Sequence, residues 1–218
     1  VTYGFQLRNG AGKYINYGQE INYHFWAKVT ITGSRSNVQL RTIPASWKAK
    51  VFVHCNQDVS FNTCSIYQNS GDIRATTMSS NGATFSLYIF VPANRVPRGG
   101  WGMVLWNSAG VEAFNTSRPL LKIYGLTTIT TPSQSIGTSR AVAAFCQQQT
   151  INAVPNFGVN ATEFWLYTTM GFDRKVTTGT SRIGAVSGVV GQSPIQNNVR
   201  VPFIDKAHFD KFGSLGNP

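Results

Sequence analysis

The stretch Ile21–Thr32, INYHFWAKVTIT, alternates almost without a break. Ile21, Tyr23, Phe25, Ala27, Val29 and Ile31 hold one set of positions, and Asn22, His24, Trp26, Lys28, Thr30 and Thr32 hold the other. Side chains of an extended strand point to opposite faces in turn, so a period of two demands a strand with one face on a core. Trp26 is the exception on the second face; it is expected to pack under a loop or in a subunit contact. Further strands are expected at Asn37–Arg41, Lys48–His54, Ser60–Tyr67, Thr84–Val91, Leu120–Tyr124, Leu126–Thr130, Ala141–Gln147, Ala161–Thr169 and Val199–Ile204. Clusters such as Gln68–Asp72, Ser79–Gly82 and Pro92–Gly100 separate them with turn-forming residues. No stretch carries a stripe of period 3.6, and Leu and Glu are scarce. The best helical turn is Asp205–Phe212. The pattern predicts an all-β chain.

A second feature bears on organisation. YGFQLRNGAGKY, Tyr3–Tyr14, returns 98 residues later as WGMVLWNSAGVE, Trp101–Glu112. Gly4, Leu7, Asn9, Ala11 and Gly12 match Gly102, Leu105, Asn107, Ala109 and Gly110, while Tyr3 meets Trp101 and Phe5 meets Met103. The alternating start reads as a strand, and Asn-x-Ala-Gly reads as a turn, because Asn tolerates left-handed φ and Gly adopts it freely. Each copy is therefore expected to be a β-hairpin, over Tyr3–Tyr17 and Trp101–Thr116, with structural turns at Asn9–Gly12 and Asn107–Gly110. A repeat of this length matches one immunoglobulin-like sandwich. The reading is two such lobes, 1–98 and 99–218, each opening with the hairpin and divided at Val91–Gly100. One large β-sandwich or barrel is the alternative. The second lobe is expected to carry long irregular loops, above all Val176–Asn198, in which Ile183, Val186, Val189, Val190 and Ile195 are candidate partner contacts.

Composition narrows the function. Hydrophobic residues make up 42% and charged residues 12%, too apolar for disorder. No apolar run approaches the ~18 residues of a membrane span, and no signal peptide is visible. The net charge is +11, from basic residues scattered singly or in pairs. Such a diffuse field suits an acidic neighbour, an anionic cell surface or nucleic acid. Nucleic acid is disfavoured, because Tyr3, Phe5, Phe25, Tyr88 and Phe90 fall on core faces rather than in a stacking groove. Cys55, Cys64 and Cys146 are an odd set; free buried thiols are favoured over a Cys55–Cys64 bridge.

Catalytic chemistry has little to stand on. Of eight acids, Glu20, Asp72, Glu112 and Asp173 fall in or near expected turns, where carboxylates are usually just solvated. His54-Cys55 lacks the second ligand pair of a zinc site, and no phosphate-binding glycine motif precedes a helix. The expectation is no enzyme, no cofactor and no bound metal.

The phrases YGFQLRNGAGKYIN and WGMVLWNSAGVEAFN, the latter followed by TSRPLLKI, resemble the opening of small, poorly characterised tail-tip or minor tail proteins of long-tailed bacteriophages. The resemblance covers about fourteen residues near Tyr3 and about twenty-three near Trp101, and it carries no catalytic residue. It implies a virion structural protein at the tail tip or baseplate, assembled in the host cytoplasm and held in a symmetric assembly by contacts with other phage tail proteins. The alternative is a receptor- or glycan-binding fibre-tip module.

Overall fold

The structure is a computed structural model that describes residues 7–8, 14–15, 22–32, 35–57, 62–69, 71–78, 82–98, 102–130, 134–146, 148–156, 161–187 and 199–213. The described residues form strands β1 (Leu7–Arg8), β2 (Tyr14–Ile15), β3 (Tyr23–Thr32), β4 (Arg35–Pro44), β5 (Lys50–Cys55), β6 (Thr63–Asn69), β7 (Asp72–Met78) and β8 (Thr84–Pro92). There follow β9 (Val104–Trp106), β10 (Glu112–Asn115), β11 (Gly125–Ile129), β12 (Ser135–Gly137), β13 (Val142–Phe145), β14 (Gln148–Asn156), β15 (Ala161–Phe172), β16 (Lys175–Ser187) and β17 (Val199–Asp205), and then a short helix, α1 (Lys206–Phe209). The fold is all-β, as expected. The helix falls within the expected turn, and Asp205 caps it by accepting the Ala207 amide proton.

Ten strands share one sheet. Its main path runs β11-β17-β13-β5-β15-β16-β12, with β14 on β15, and with β8 joining β3 to β5. Strand β5 is the junction: it pairs antiparallel with β8 and β13 and parallel with the end of β15. Residues from either side of the expected 98/99 boundary are thus hydrogen-bonded neighbours. Of the two architectures weighed, this is the single large one; 1–98 and 99–218 are not separate sheets.

Three clusters fill the interior. β4, β7 and β6 form a second sheet. It lies over the β3–β8–β5 face, with Ile43, Cys64, Ile73 and Ala75 packed against Val51, Val53, Leu87 and Ile89. On the opposite face Phe25, Phe52, Tyr88 and Phe90 meet Ala143, Ile204 and Phe209 of α1. β8 is buried on both sides, which explains its unbroken apolar run LYIFV. The third cluster draws Ile129 from β11, Val142 and Ala144 from β13, Val176 from β16, and Val199, Val201 and Phe203 from β17, with Ile136 of β12 beside it. Strands from both ends of the path contribute, so the sheet curls into a nearly closed barrel. The three cysteines are free and buried, and the Cys146 thiol donates to the Cys64 carbonyl over 3.0 Å.

Strand β3 departs from strict alternation at one residue. Phe25 lies opposite Phe90 and Ala27 opposite Ile89, so Trp26 is an extra residue, a β-bulge. The bulge changes which face later residues meet. Phe25 packs with Tyr88 and Phe209, whereas Trp26, Val29 and Ile31 pack on the other side of the sheet. Trp26 sits edge-on to Trp47, with centroids 5.4 Å apart. The exception in the sequence is the bulge itself.

Two expectations give way. Residues 176–187 are not an irregular loop: they belong to β16, which pairs with β15 from Phe172↔Lys175 to Ala161↔Ser187. Leu120–Tyr124 is not a strand. Its start forms a strap beside β3, with an isolated bridge between His24 and Leu120 and a bond from the Leu121 amide to the Tyr23 carbonyl.

Candidate functional site

Two features stand out on the surface: the second hairpin, and a basic groove beside α1. The hairpin β9–β10 is a two-stranded sheet of its own. Its turn is built by the Asn107 side chain, whose Oδ1 accepts the amides of Ala109 at 3.0 Å and Val111 at 2.9 Å. Asn107 thus acts as a side-chain cap and does not use the left-handed φ that asparagine tolerates. Gly110 does take a left-handed φ of 72°. Gly102 is required for a second reason: its φ is 152°, and a Cβ there would run into the Thr116 hydroxyl. That hydroxyl accepts the Met103 amide at 2.8 Å.

A polar clamp fixes the hairpin to the body. Glu112 is only 8% exposed, not solvated as its turn position suggested. It takes Arg98 Nε at 2.9 Å and Asn115 Nδ2 at 2.6 Å. Both the backbone amide and the side chain of Asn22 bond to the Ala113 carbonyl. Buried His24 reaches the Arg118 carbonyl over 3.0 Å from Nδ1. A carbonyl only accepts, so Nδ1 carries the proton. Burial holds the imidazole below its usual value, against the opposing pull of that carbonyl and of Glu112. The hairpin's outer side presents Trp106, 53% exposed, and Met103, 40% exposed. The Arg98 guanidinium lies 5.4 Å over the Trp106 ring.

The groove consists of two adjoining cavities, about 210 Å³ and 520 Å³, which share Lys122 and His208. Lys122, Tyr124, Arg140 and Asp205 line the first, and Arg118, Leu120 and Phe212 are among the residues lining the second. The strap supplies Arg118, Lys122 and Tyr124; the approach to β13 supplies Arg140. The end of β17 supplies Asp205, and α1 with the residues after it supplies His208 and Phe212. Asp205 is already engaged, by Arg140 at 2.8 Å and by its cap on α1. Burial would raise its carboxyl, but Arg140 and the capped amides outweigh that and hold it below the usual value. Tyr124 is fixed by Ser139 Oγ at 3.0 Å and by Arg140 at 5.4 Å over its ring.

Of the residues singled out in the sequence, Asn107 and Gly110 form the expected turn. Asn9, Gly12, Val189, Val190 and Ile195 lie outside the described residues. Ile183 and Val186 belong to β16; Val186 pairs with Thr162, and Ile183 is the bulged residue opposite β15. Sequence reasoning did not find the groove, because Arg118 and Lys122 of the strap, Arg140 and His208 come from three separate parts of the chain and no local pattern joins them. Among the described residues no three His, Cys, Asp or Glu side chains gather as metal ligands. No family model, no curated protein and no solved structure matches this chain.

Proposed function

We propose that this chain is a structural component of a bacteriophage virion, at the tail tip or baseplate, acting through protein–protein contacts. The observation that carries the reading is the second hairpin, whose sequence bears the resemblance to tail-tip proteins. It is clamped from behind by Arg98 on Glu112, by Asn115 on the Ala93 carbonyl and by Asn22 on the Ala113 carbonyl, and it offers Trp106 and Met103 to its surroundings. An aromatic side chain held out on a rigid support is the type of anchor on which binding energy concentrates. The partners are other phage tail proteins, present in multiple copies in a symmetric assembly. The protein resides in the virion tail after assembly in the host cytoplasm, and its positive charge favours acidic neighbours or an anionic host surface.

The test uses the phage. Purified particles should contain the protein at fixed copy number, and a Trp106→Ala, Met103→Ala variant that folds normally in isolation should be depleted from them. If variant particles keep the full copy number but no longer adsorb to cells, the hairpin is a receptor-binding element and the fibre-tip reading replaces this one. Particles that never contain the protein would sink both.

A further inference from the structure

We infer that the groove between α1 and the strap Arg118–Tyr124 is a docking site for an acidic polypeptide segment. Its cations are not used up internally. Arg118 spends Nη1 on the Gly213 carbonyl at 2.8 Å, which fixes the guanidinium without neutralising it. Lys122 is exposed and forms no ion pair with any described residue. Among the described residues that line the groove the one acid, Asp205, is matched by Arg140. The groove therefore carries unbalanced positive charge on Arg118 and Lys122 of the strap, set along adjoining cavities rather than at a point.

The apolar surface beside it decides the class of ligand. Pro119, Leu120 and Phe212 line the second cavity together with Arg118 and Lys122, and Tyr124, 39% exposed, lines the first. A chain that alternates carboxylates with apolar side chains meets both surfaces at once: carboxylates on Arg118 and Lys122, apolar groups on the rim. Single-stranded nucleic acid needs successive stacking platforms. The groove's rings form no such row: Arg140 covers Tyr124 at 5.4 Å, the exposed His208 imidazole stands edge-on to Phe209 and Phe212, and Phe209 is 1% exposed. This inference goes beyond the virion reading and does not depend on it, because it rests on the groove alone.

The experiment titrates the purified full chain into a short dye-labelled peptide of alternating Glu and Leu and follows fluorescence anisotropy. A labelled oligothymidine and a labelled polyuronic oligosaccharide are run alongside. The peptide should bind best, and its binding should weaken as salt is raised. Lys122→Glu should weaken it about tenfold or more, since it turns an attraction into a repulsion. Lys175→Glu, at an exposed lysine of the β15–β16 turn that lines neither cavity, makes the same change in net charge and should leave affinity nearly unchanged. Both variants are surface changes, and their thermal midpoints are compared with that of the parent chain. Equal weakening by the two variants would mean non-specific charge attraction and would overturn the inference. So would tighter binding of oligothymidine or oligosaccharide, or no binding of the peptide.

Discussion

Gly102 and Gly110 hold the second hairpin by different physics, and the difference can be measured. Gly110 has open space where a Cβ would sit, so alanine there meets only the cost of a left-handed φ, about 1–2 kcal/mol. At Gly102 the same substitution adds a collision with the Thr116 hydroxyl, which already holds the Met103 amide. Gly102→Ala is therefore expected to lower stability in urea unfolding by more than Gly110→Ala does; equal losses would refute the account of the aromatic-Gly pair that opens the motif. The sequence showed that glycine recurs at both places and gave the reason for one. The reason for the other lies in Thr116, the residue across the hairpin, and could not be read from either strand alone. Glu112 repeats the lesson: its neighbours suggest a solvated turn, yet Arg98 from outside the hairpin and Asn115 from the far end of β10 converge on it and leave it only 8% exposed.

At the scale of elements, α1 is too short to persist alone. It is held by Phe209, packed edge-on against Phe90 with centroids 4.9 Å apart, and by Asp210 just beyond its end. Asp210 accepts from Lys28 and from Tyr88 at 2.7 Å each, and from Lys206 at 2.5 Å. Burial alone would raise its carboxyl, but the three bonds outweigh that and bring it down to about 2 from 3.8. A carboxyl depressed in the folded state stabilises the fold above its ordinary value, and that contribution fades as pH falls from 3.8 toward about 2. Buried His24 and His54, both held below their usual value, add a separate loss that sets in at less acidic pH, because each must charge inside the protein. The midpoint difference between the parent chain and Asp210→Asn isolates the carboxyl. It should be largest near neutral pH and shrink through this acid window; parallel curves would rule the clamp out. β3, β8 and β17 were legible because each is rich in apolar residues that reach a core. β7, β14 and β16 were not. In β7, Asp, Arg and Thr interrupt Ile73 and Ala75, and β16 is dominated by Thr, Gly and Ser. Pairing with β15 and with β4 and β6 supplies their backbone partners, so they need little apolar signal of their own.

The whole molecule is tied together at β5. The strand lies between β8, from its own neighbourhood, and β13 and β15, from the second half of the chain. Thermal or urea unfolding should accordingly be a single transition by both far-ultraviolet circular dichroism and tryptophan fluorescence. Fragments 1–98 and 99–218 should each fail to give a cooperative transition alone; an independent transition from either would restore the two-lobe reading. The same junction sets the order of events during synthesis. When the ribosome has released β3 through β8, the far edge of β5 is still unpaired, and its partners β13 and β15 lie roughly a hundred residues of chain away. Closing so large a loop is entropically slow, and an open strand edge is a template for the wrong neighbour. The nascent chain must therefore carry a vulnerable edge until its second half emerges. Fast translation or assistance by chaperones is thus expected to govern the yield of this protein more than the stability of its finished core does.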